Sequence, residues 1–397
     1  LDTSIMNNST GRIRAGRLIF FVPFLCLLLI AQNLSAQDDE SLIETFGGHK
    51  GPVYSLAVHP GGKIVATGSE DMKILLWDPM TGEISKTLEG HTKPVKYLCF
   101  SKDGRYLLSA AGTEIRVWDL ENGSWRVYLK HVTHVYNLDF NNDASRFLST
   151  SLKNKFNEWD REQGVVIREF DQHSKSCLVA AYSPDNTKIA SGSLDLSIKI
   201  WDAASGEVIH DISAHGENIL SIDFSPDGKL LASASMDKMV KLWNVETGKI
   251  HRLLAGHDYA VVYVRFSPDG RYLVSASYDK TARLWEVATG NCIYTFVDHS
   301  DALYAADFLP DSKHVLTCSN DGKVMVYEIS PRFIAEYYYF SELQKEMKES
   351  GLFEERQKGE KKEDYQLRQE KADSLRKELY DKYCNLHLEE IKQKGKE

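Results

Sequence analysis

A histidine recurs along this chain at an almost constant interval, and that period constrains the fold more than any other feature. The residues are His49, His91, His131, His173, His215, His257 and His299; five of the six intervals are 42 residues and the other is 40. The stretch 214–244, AHGENILSIDFSPDGKLLASASMDKMVKLWN, shows the repeating unit, with His215, Asp237 and Trp243 at its fixed points. After the histidine, Ile219, Ile222 and Phe224 alternate roughly at strand period. Ser225-Pro226-Asp227-Gly228 then supplies a turn, with Pro presetting φ and Gly taking the left-handed position. Leu230-Leu231-Ala232 opens a second strand and Val240 to Trp243 a third. Glu246-Thr247-Gly248 turns the chain into a fourth, Lys249 to Leu254. Each repeat is thus expected to form a four-stranded sheet whose two faces need covering by its neighbours.

A period of about 40–45 residues with a Gly-His…Trp-Asp signature means one propeller blade per repeat. The chain resembles the WD-repeat family over residues 41–328. The expected fold is all-β, a seven-bladed β-propeller with a C-terminal α-helical extension. Ser41 to Phe46 precedes the first histidine as a fourth strand precedes the others, and the seventh repeat lacks a fourth strand after Val324 to Tyr327. The N-terminal strand is therefore expected to complete the last blade and remove both open edges of the array.

Within each blade the resemblance implies a hydrogen-bonded tetrad of His, a strand-two Ser or Thr, Asp and Trp. Four repeats have all members: His49/Thr67/Asp71/Trp77, His173/Ser191/Asp195/Trp201, His215/Ser233/Asp237/Trp243 and His257/Ser275/Asp279/Trp285. A Ser-His-Asp set invites a hydrolase reading, but four copies in identical settings describe a structural staple. Three repeats depart. Blade two is one residue short and has Gly112 where the Asp belongs; blade three has Lys153 there and Lys130 in place of the Gly; blade seven ends in Tyr327 instead of Trp. Losing an acceptor from a buried network costs on the order of 1–3 kcal/mol, so blades two and three are expected to be the least rigid.

Three segments make up the chain: a signal peptide over 1–36, the propeller over 37–328 and a charged helical extension over 329–397. The chain starts at Leu1 with its first methionine at Met6, which reads as an incomplete or misassigned start. Arg12, Arg14 and Arg17 precede the apolar run Leu18 to Ile30, and Asn33-Leu34-Ser35-Ala36 precedes an acidic stretch. That pattern describes a secretory signal cleaved after Ala36, the alternative being an uncleaved anchor. The junction looks like that of exported bacterial proteins, which places the mature chain in the periplasm or outside the cell. In the extension, Pro331 starts a helix whose face is expected to be Phe333, Tyr337, Phe340 and Leu343. A second helix carries Tyr365, Ala372, Leu375, Leu379, Tyr383 and Leu386 on one face.

No HExxH, GxSxG, phosphate-loop or dinucleotide glycine pattern occurs. His131 and His134 lack a third ligand at a useful spacing, so no catalytic residue, metal or cofactor is expected. A net charge of −9 argues against binding nucleic acid by phosphate neutralisation. The six cysteines sit singly and four fall in strands, which reads as core packing and not a disulfide framework. What remains is one face of the ring, where the resemblance implies partner binding through the third and fifth residues after each His and the residue before each Asp. The third positions are Pro52, Pro94, His134, Ser176, Asn218, Ala260 and Ala302. The fifth positions are Tyr54, Lys96, Tyr136, Leu178, Leu220, Val262 and Tyr304; the set before the Asp includes Leu152, Leu194, Met236 and Tyr278. The expected function is a non-catalytic platform for a protein or peptide, with membrane contact only through an uncleaved signal segment. The alternative is the recognition part of a longer exported enzyme, such as a peptidase, continuing beyond Glu397.

Overall fold

The computed structural model describes residues 41–128 and 131–394. The expected leader at 1–36 and the Lys130 replacement lie outside them. Seven four-stranded antiparallel sheets follow the repeats. Blade five, with strands Ile219–Phe224, Leu230–Ser235, Val240–Asn244 and Ile250–Leu254, shows how the sequence makes the unit. Its first turn closes through the Gly228 amide to the Ser225 carbonyl at 2.8 Å, with Gly228 at φ +70°. The Ser225 hydroxyl donates to Asp227 and accepts the Leu230 amide, tying the turn to the strand that follows.

The seventh blade takes three strands from the last repeat and its fourth from Leu42–Phe46. That strand runs antiparallel to Val324–Glu328, with Leu42 opposite Tyr327 and Phe46 opposite Val324. The two chain ends of the ring thus share one sheet, so no edge of the array is left open at the closure. Phe46 also packs its ring on Trp77 of blade one, 4.6 Å between centroids.

The core lies between blades. One cluster joins Val179, Ala190 and Ile198 of blade four to Ile219, Phe224, Leu231 and Trp243 of blade five. Second and third strands are buried almost throughout, while fourth strands alternate between buried and exposed, as Val165–Phe170 shows. A strand with both faces covered and one with a wet face differ in this way. The five described cysteines are free, with Cys177 and Cys318 buried.

Two helices complete the described chain. The first, α1 (Pro331–Glu349), is capped by Ser330, whose hydroxyl accepts the Arg332 amide, and has Pro at its first turn. Its buried face is Phe333, Ile334, Ala335, Leu343 and Met347. Tyr337 and Phe340, expected on that face, are exposed instead. Phe340 lies beyond Tyr339, which leaves helical geometry (φ −129°, ψ 26°) and shifts the face of the residues after it; the exposure of Tyr337, which precedes the kink, has no such cause. Phe333 stacks on Tyr294 of blade six at 3.8 Å.

The second helix, α2 (Lys362–Lys394), packs along α1 through Leu379 and Tyr383, with Leu375 half-buried beside them. Here too one residue differs from expectation: Leu386 is exposed and His387 is buried. Leu379, Tyr383 and His387 follow at intervals of four, the spacing that keeps side chains on one helical face. His387 Nε2 lies 2.8 Å from Glu286 Oε1, and the Tyr338 hydroxyl donates to the other oxygen at 2.7 Å. Glu286 is itself buried in blade six, so this carboxylate fixes both helices to the ring. Among the described residues no helix is long and apolar enough to cross a membrane.

Candidate functional site: the mouth of the central channel

The tetrads fix the loops that surround the mouth. In blade five, His215 Nδ1 lies 2.8 Å from Asp237 Oδ2, Nε2 lies 2.7 Å from Ser233 Oγ, and the Trp243 indole donates to Ser233 Oγ at 2.8 Å. Blades one, four and six repeat this arrangement. His49 Nε2 lies 2.9 Å from Thr67 Oγ1, which the Trp77 indole reaches at 3.2 Å. The Trp201 and Trp285 indoles donate to Ser191 and Ser275, each at 2.8 Å. His49, His173 and His257 keep Nδ1 within 2.9 Å of Asp71, Asp195 and Asp279. With a neutral imidazole, Nδ1–H donates to the carboxylate and Nε2 accepts the hydroxyl proton, so every donor has an acceptor.

Burial separates these candidates from the ones at the mouth. Ser191, Ser233 and Ser275 are 0% exposed, and each hydroxyl oxygen is already occupied by an indole. A nucleophile that no substrate can reach cannot attack one. Thr67, Trp201 and Trp285 are each 1% exposed. They are sealed between blades, where the indoles join the apolar core, as Trp201 does against Phe156 and Phe170.

The Asp does more than orient the histidine. Asp237 Oδ2 also accepts the Gly216 amide, and Oδ1 accepts the Met239 amide two residues on. That last bond supports a turn whose intervening residue, Lys238, sits at φ +73°. Burial works to raise the Asp237 carboxyl, but the bonds from His215 and the two amides outweigh it and hold it at about 2. Blade seven keeps the same bonds from His299 to Asp321 and Thr317, with Tyr327 filling the indole's place against Phe296.

Blades two and three solve the problem differently. In blade two the missing residue shortens the strand two–three connection to a two-residue hairpin: Ala111 pairs directly with Glu114 across Gly112 and Thr113. Gly112, at φ +63°, takes the left-handed position without an Asp to support it. Glu114 then brings a carboxylate from the third strand to 2.9 Å from His91 Nδ1, at an angle too poor for a hydrogen bond. The same oxygen takes Arg116, whose other arm donates to the Gly90 carbonyl. The blade is therefore not without an acid, as its spacing implies; the acid comes from another position. In blade three no carboxylate among the described residues replaces Asp, and burial alone pushes the His131 imidazole down to about 4. At both departures the backbone compensates across the blade junction. The Gly112 carbonyl accepts the Val135 amide, and the Lys153 carbonyl accepts that of Cys177, each at 2.8 Å.

All seven fifth positions meet at the mouth. Tyr54, Lys96, Tyr136, Leu178, Leu220, Val262 and Tyr304 line one cavity of about 360 Å³, together with Tyr278. Leu178 is buried in its wall, while Tyr136 and Tyr278 are exposed. Leu152, Leu194 and Met236 stand outside the cavity: Leu152 and Met236 are exposed on the rim and Leu194 is half-buried. An aromatic arc crosses three blades. Tyr278 meets Tyr304 edge-on at 5.9 Å, Tyr304 meets Tyr54 edge-on at 4.9 Å, and Lys96 Nζ sits 3.1 Å from the Tyr54 ring centre. The Tyr54 hydroxyl donates to Glu70 at 2.5 Å, and that of Tyr304 to Asn320 at 3.2 Å. These two fifth-position tyrosines are thus held by the residue before their own blade's Asp, which orients two of the arc's three rings.

Below the mouth is a polar ring that the sequence reading missed. It consists of the eighth residue after each histidine and includes Cys99, Asp139, Asp223, Arg265 and Asp307. Arg265 bridges two blades, with Nη1 3.2 Å from Asp223 and Nε 3.4 Å from Asp307, and also donates to the Tyr263 hydroxyl. The carboxylates double as acceptors for the next blade's strand: Asp139 takes the Tyr182 amide and Asp223 the Phe266 amide. Burial pushes Asp139 up to about 7 and Asp223 up to about 6, against the pull of Arg265 and these amides. All four ionisable side chains still meet channel solvent, Arg265 with 34% of its side chain. Among the described residues, no group of three or more His, Cys, Asp or Glu side chains could hold a metal ion. Reading the eighth position across the repeats would have found this ring.

Comparison with known proteins agrees with the geometry. The family model described as WD domain, G-beta repeat matches residues 40–78, 82–119, 164–202, 206–244, 248–286 and 290–328, more than half the chain. The unmatched stretch, 120–163, holds most of blade three, where Lys153 breaks the signature. Nuclear distribution protein PAC1-1 of Uncinocarpus reesii is 41% identical over 20% of this chain and 18% of its own length. Human pre-mRNA-processing factor 17 is 28% identical over 36% of this chain and 26% of its own. Small ribosomal subunit protein RACK1 of Medicago sativa is 39% identical over 21% and 25%. The matches thus span no more than about a quarter of each of these relatives. Six family matches laid over six of seven blades, with the tetrads formed in the structure, settle the family: the chain belongs to the WD-repeat, or G-beta repeat, proteins.

Proposed function

We propose that this protein is a non-catalytic platform that captures a protein or peptide on the face around the channel mouth. The observation that carries the reading is the cavity itself, where one residue from the first strand of every blade converges and three tyrosines form a fixed arc. Aromatic anchors in such a concave rim commonly dominate binding energy, at about 2 kcal/mol or more each. The relatives support binding over chemistry: WD-repeat proteins such as RACK1 are interaction platforms, and that relative's name places it in a ribosomal subunit.

The test is capture of cellular partners by crosslinking and affinity pull-down. Tyr136→Ala and Tyr278→Ala should leave folding nearly intact and weaken capture at least about tenfold, roughly 1.4 kcal/mol. Substitutions on the opposite face, at Asp185 and Lys229, should leave it unchanged. Normal capture by both tyrosine variants would move the site to the helices or the opposite face. We further propose export, on the basic, apolar and small-residue pattern of residues 12–36. Sequencing the mature N-terminus tests that, the expected start being Gln37.

A further inference from the structure

The rim of the ring is electrically lopsided. On blades five to seven the network acids Asp237, Asp279 and Asp321 stand beside the loop acids Glu217, Asp258 and Asp301, six carboxylates that the exposed Lys238, Lys280 and Lys323 offset only in part. On blades two and three the corresponding network positions are Gly112 and Lys153, and the loop after His91 carries Lys93 and Lys96. Blade four adds Lys175. All four lysines are exposed. None is in an ion pair among the described residues, because the nearby carboxylates are held elsewhere: Glu114 by His91 and Arg116, Glu169 by Lys155, Asp195 by His173. Asp171 stays exposed on this side as a partial counterweight. The glycine at 112 has a steric purpose as well as a conformational one. A Cβ there would lie 3.2 Å from Lys93 Cγ, so glycine lets the lysine stem rest over the turn.

Beside these lysines blade three exposes an apolar group. Val132 is 77% exposed, Tyr136 43% and Leu152 41%. Tyr136 and Leu152 occupy the pair of positions that touch in blades one and seven. In a chain with net charge −9, lysines without a carboxylate partner around an apolar group run against the average of the surface, although Lys96 is turned onto the Tyr54 ring.

We propose that the sector formed by blades two to four docks an acidic peptide segment bearing one apolar side chain. The apolar side chain lies against Tyr136 and Leu152, and flanking carboxylates meet Lys93, Lys96, Lys153 and Lys175. This rests on the reading that partners bind the mouth face and adds the partner's chemistry. The attraction is local, since exposed charges are screened beyond about 8 Å at physiological salt.

The experiment uses the full chain and a fluorescein-labelled heptapeptide of glutamates around a central leucine, followed by anisotropy at low and at physiological salt. Saturable binding that weakens with salt is expected. Charge reversal at Lys93, Lys153 and Lys175 together should weaken it at least tenfold, while Lys238→Glu with Lys280→Glu on the acidic side should not. The same peptide with lysines in place of glutamates should fail to bind. Equal affinity for the acidic and basic peptides, or no loss on charge reversal, overturns the proposal. Tighter, equally lysine-dependent binding of a labelled oligothymidylate overturns it in favour of nucleic acid. The two readings fail separately. If Tyr136→Ala and Tyr278→Ala abolish capture of cellular partners and charge reversal does not, the face stands and the acidic chemistry falls. If neither set affects capture, the face itself is wrong.

Discussion

Blades four to six and blades two and three hold the same histidine, hydroxyl and indole by different means. In blade five one Asp side chain orients the imidazole, accepts the amide after it and supports a left-handed turn. In blade two these tasks are divided between Glu114 and a glycine hairpin. In blade three the imidazole has no acid among the described residues, and the packing is aromatic: Trp159 stacks on Phe147 at 5.6 Å, and Tyr128 meets both edge-on. A single residue doing several jobs is thus replaceable when its jobs can be separated. The replacement frees the top of the blade to carry other chemistry, here lysines.

The largest effect that can break this comparison is loss of the indole. Trp243→Ala should cost about 3–5 kcal/mol, the range for a large aromatic removed from a core. The equally buried Trp201 and Trp285 should follow it. Because Trp159 has the richer aromatic packing, Trp159→Ala should cost at least as much. Denaturant titration of the variants decides it. A clearly smaller loss in blade three would mean that its packing does not substitute for the missing acid.

Next in size is the acid. Asp237→Ala removes the acceptor of a buried imidazole and two amides and should cost on the order of 1–3 kcal/mol. Glu114→Ala should fall in the same range, because it leaves the buried Arg116 guanidinium without its carboxylate. If Glu114→Ala is neutral, blade two manages without an acid and its kinship is with blade three.

How much of this could be read from residues alone follows the same division. Fixed spacing located every histidine, hydroxyl and indole that the structure joins, and the fifth positions that meet at the mouth. Where the period breaks, so does legibility. The one-residue deletion in blade two changes the turn type: counting back from Trp118 points to Gly112 and counting on from His91 to Thr113, when the carboxylate sits at Glu114. In α1 a non-helical residue at Tyr339 breaks the period before Phe340, while in α2 the buried face runs Leu379, Tyr383, His387 and passes a histidine that an apolar pattern does not mark. The channel ring escaped because its members differ in type, Cys, Asp and Arg at one position, so that no signature marks it.

Acid should separate the two kinds of blade by how much stability is lost: burial lowers His173, His257 and His299 too, but there the partner Asp pulls back, and His131 has no such partner among the described residues. His131 is held at about 4 against its ordinary 6.5. Its folded pKa is depressed, so the unfolded chain takes the proton first. The contribution is full above about 6.5 and drains as pH falls toward 4. For Asp237, held at about 2 against 3.8, the contribution is full above the ordinary value and drains only as pH falls toward 2. Lys153→Asp gives His131 a partner that favours its charged form. It should reduce the stability lost between about pH 6.5 and 4, read from denaturation midpoints across that window. An unchanged pH profile would show that His131 does not govern blade three's acid response.

The smallest effect is the most local. In blades one and four to seven the amide following the histidine donates to the network Asp at 2.9–3.1 Å: residues 50, 174, 216, 258 and 300. In blades two and three the corresponding amides belong to Thr92 and Val132, and neither has such a carboxylate among the described residues. Exchange at an exposed loop amide reports local opening and not global unfolding. Thr92 and Val132 should therefore exchange faster than the amides of Ser174, Gly216 and Asp258, while strand amides nearby, such as Val135 and Cys177, stay protected by the carbonyls of Gly112 and Lys153. That pattern separates loosened loops from loosened blades. Fast exchange reaching Val135 and Cys177 would mean that the cross-blade bonds fail to compensate, and blades two and three would then be weak through their strands as well as at their tips.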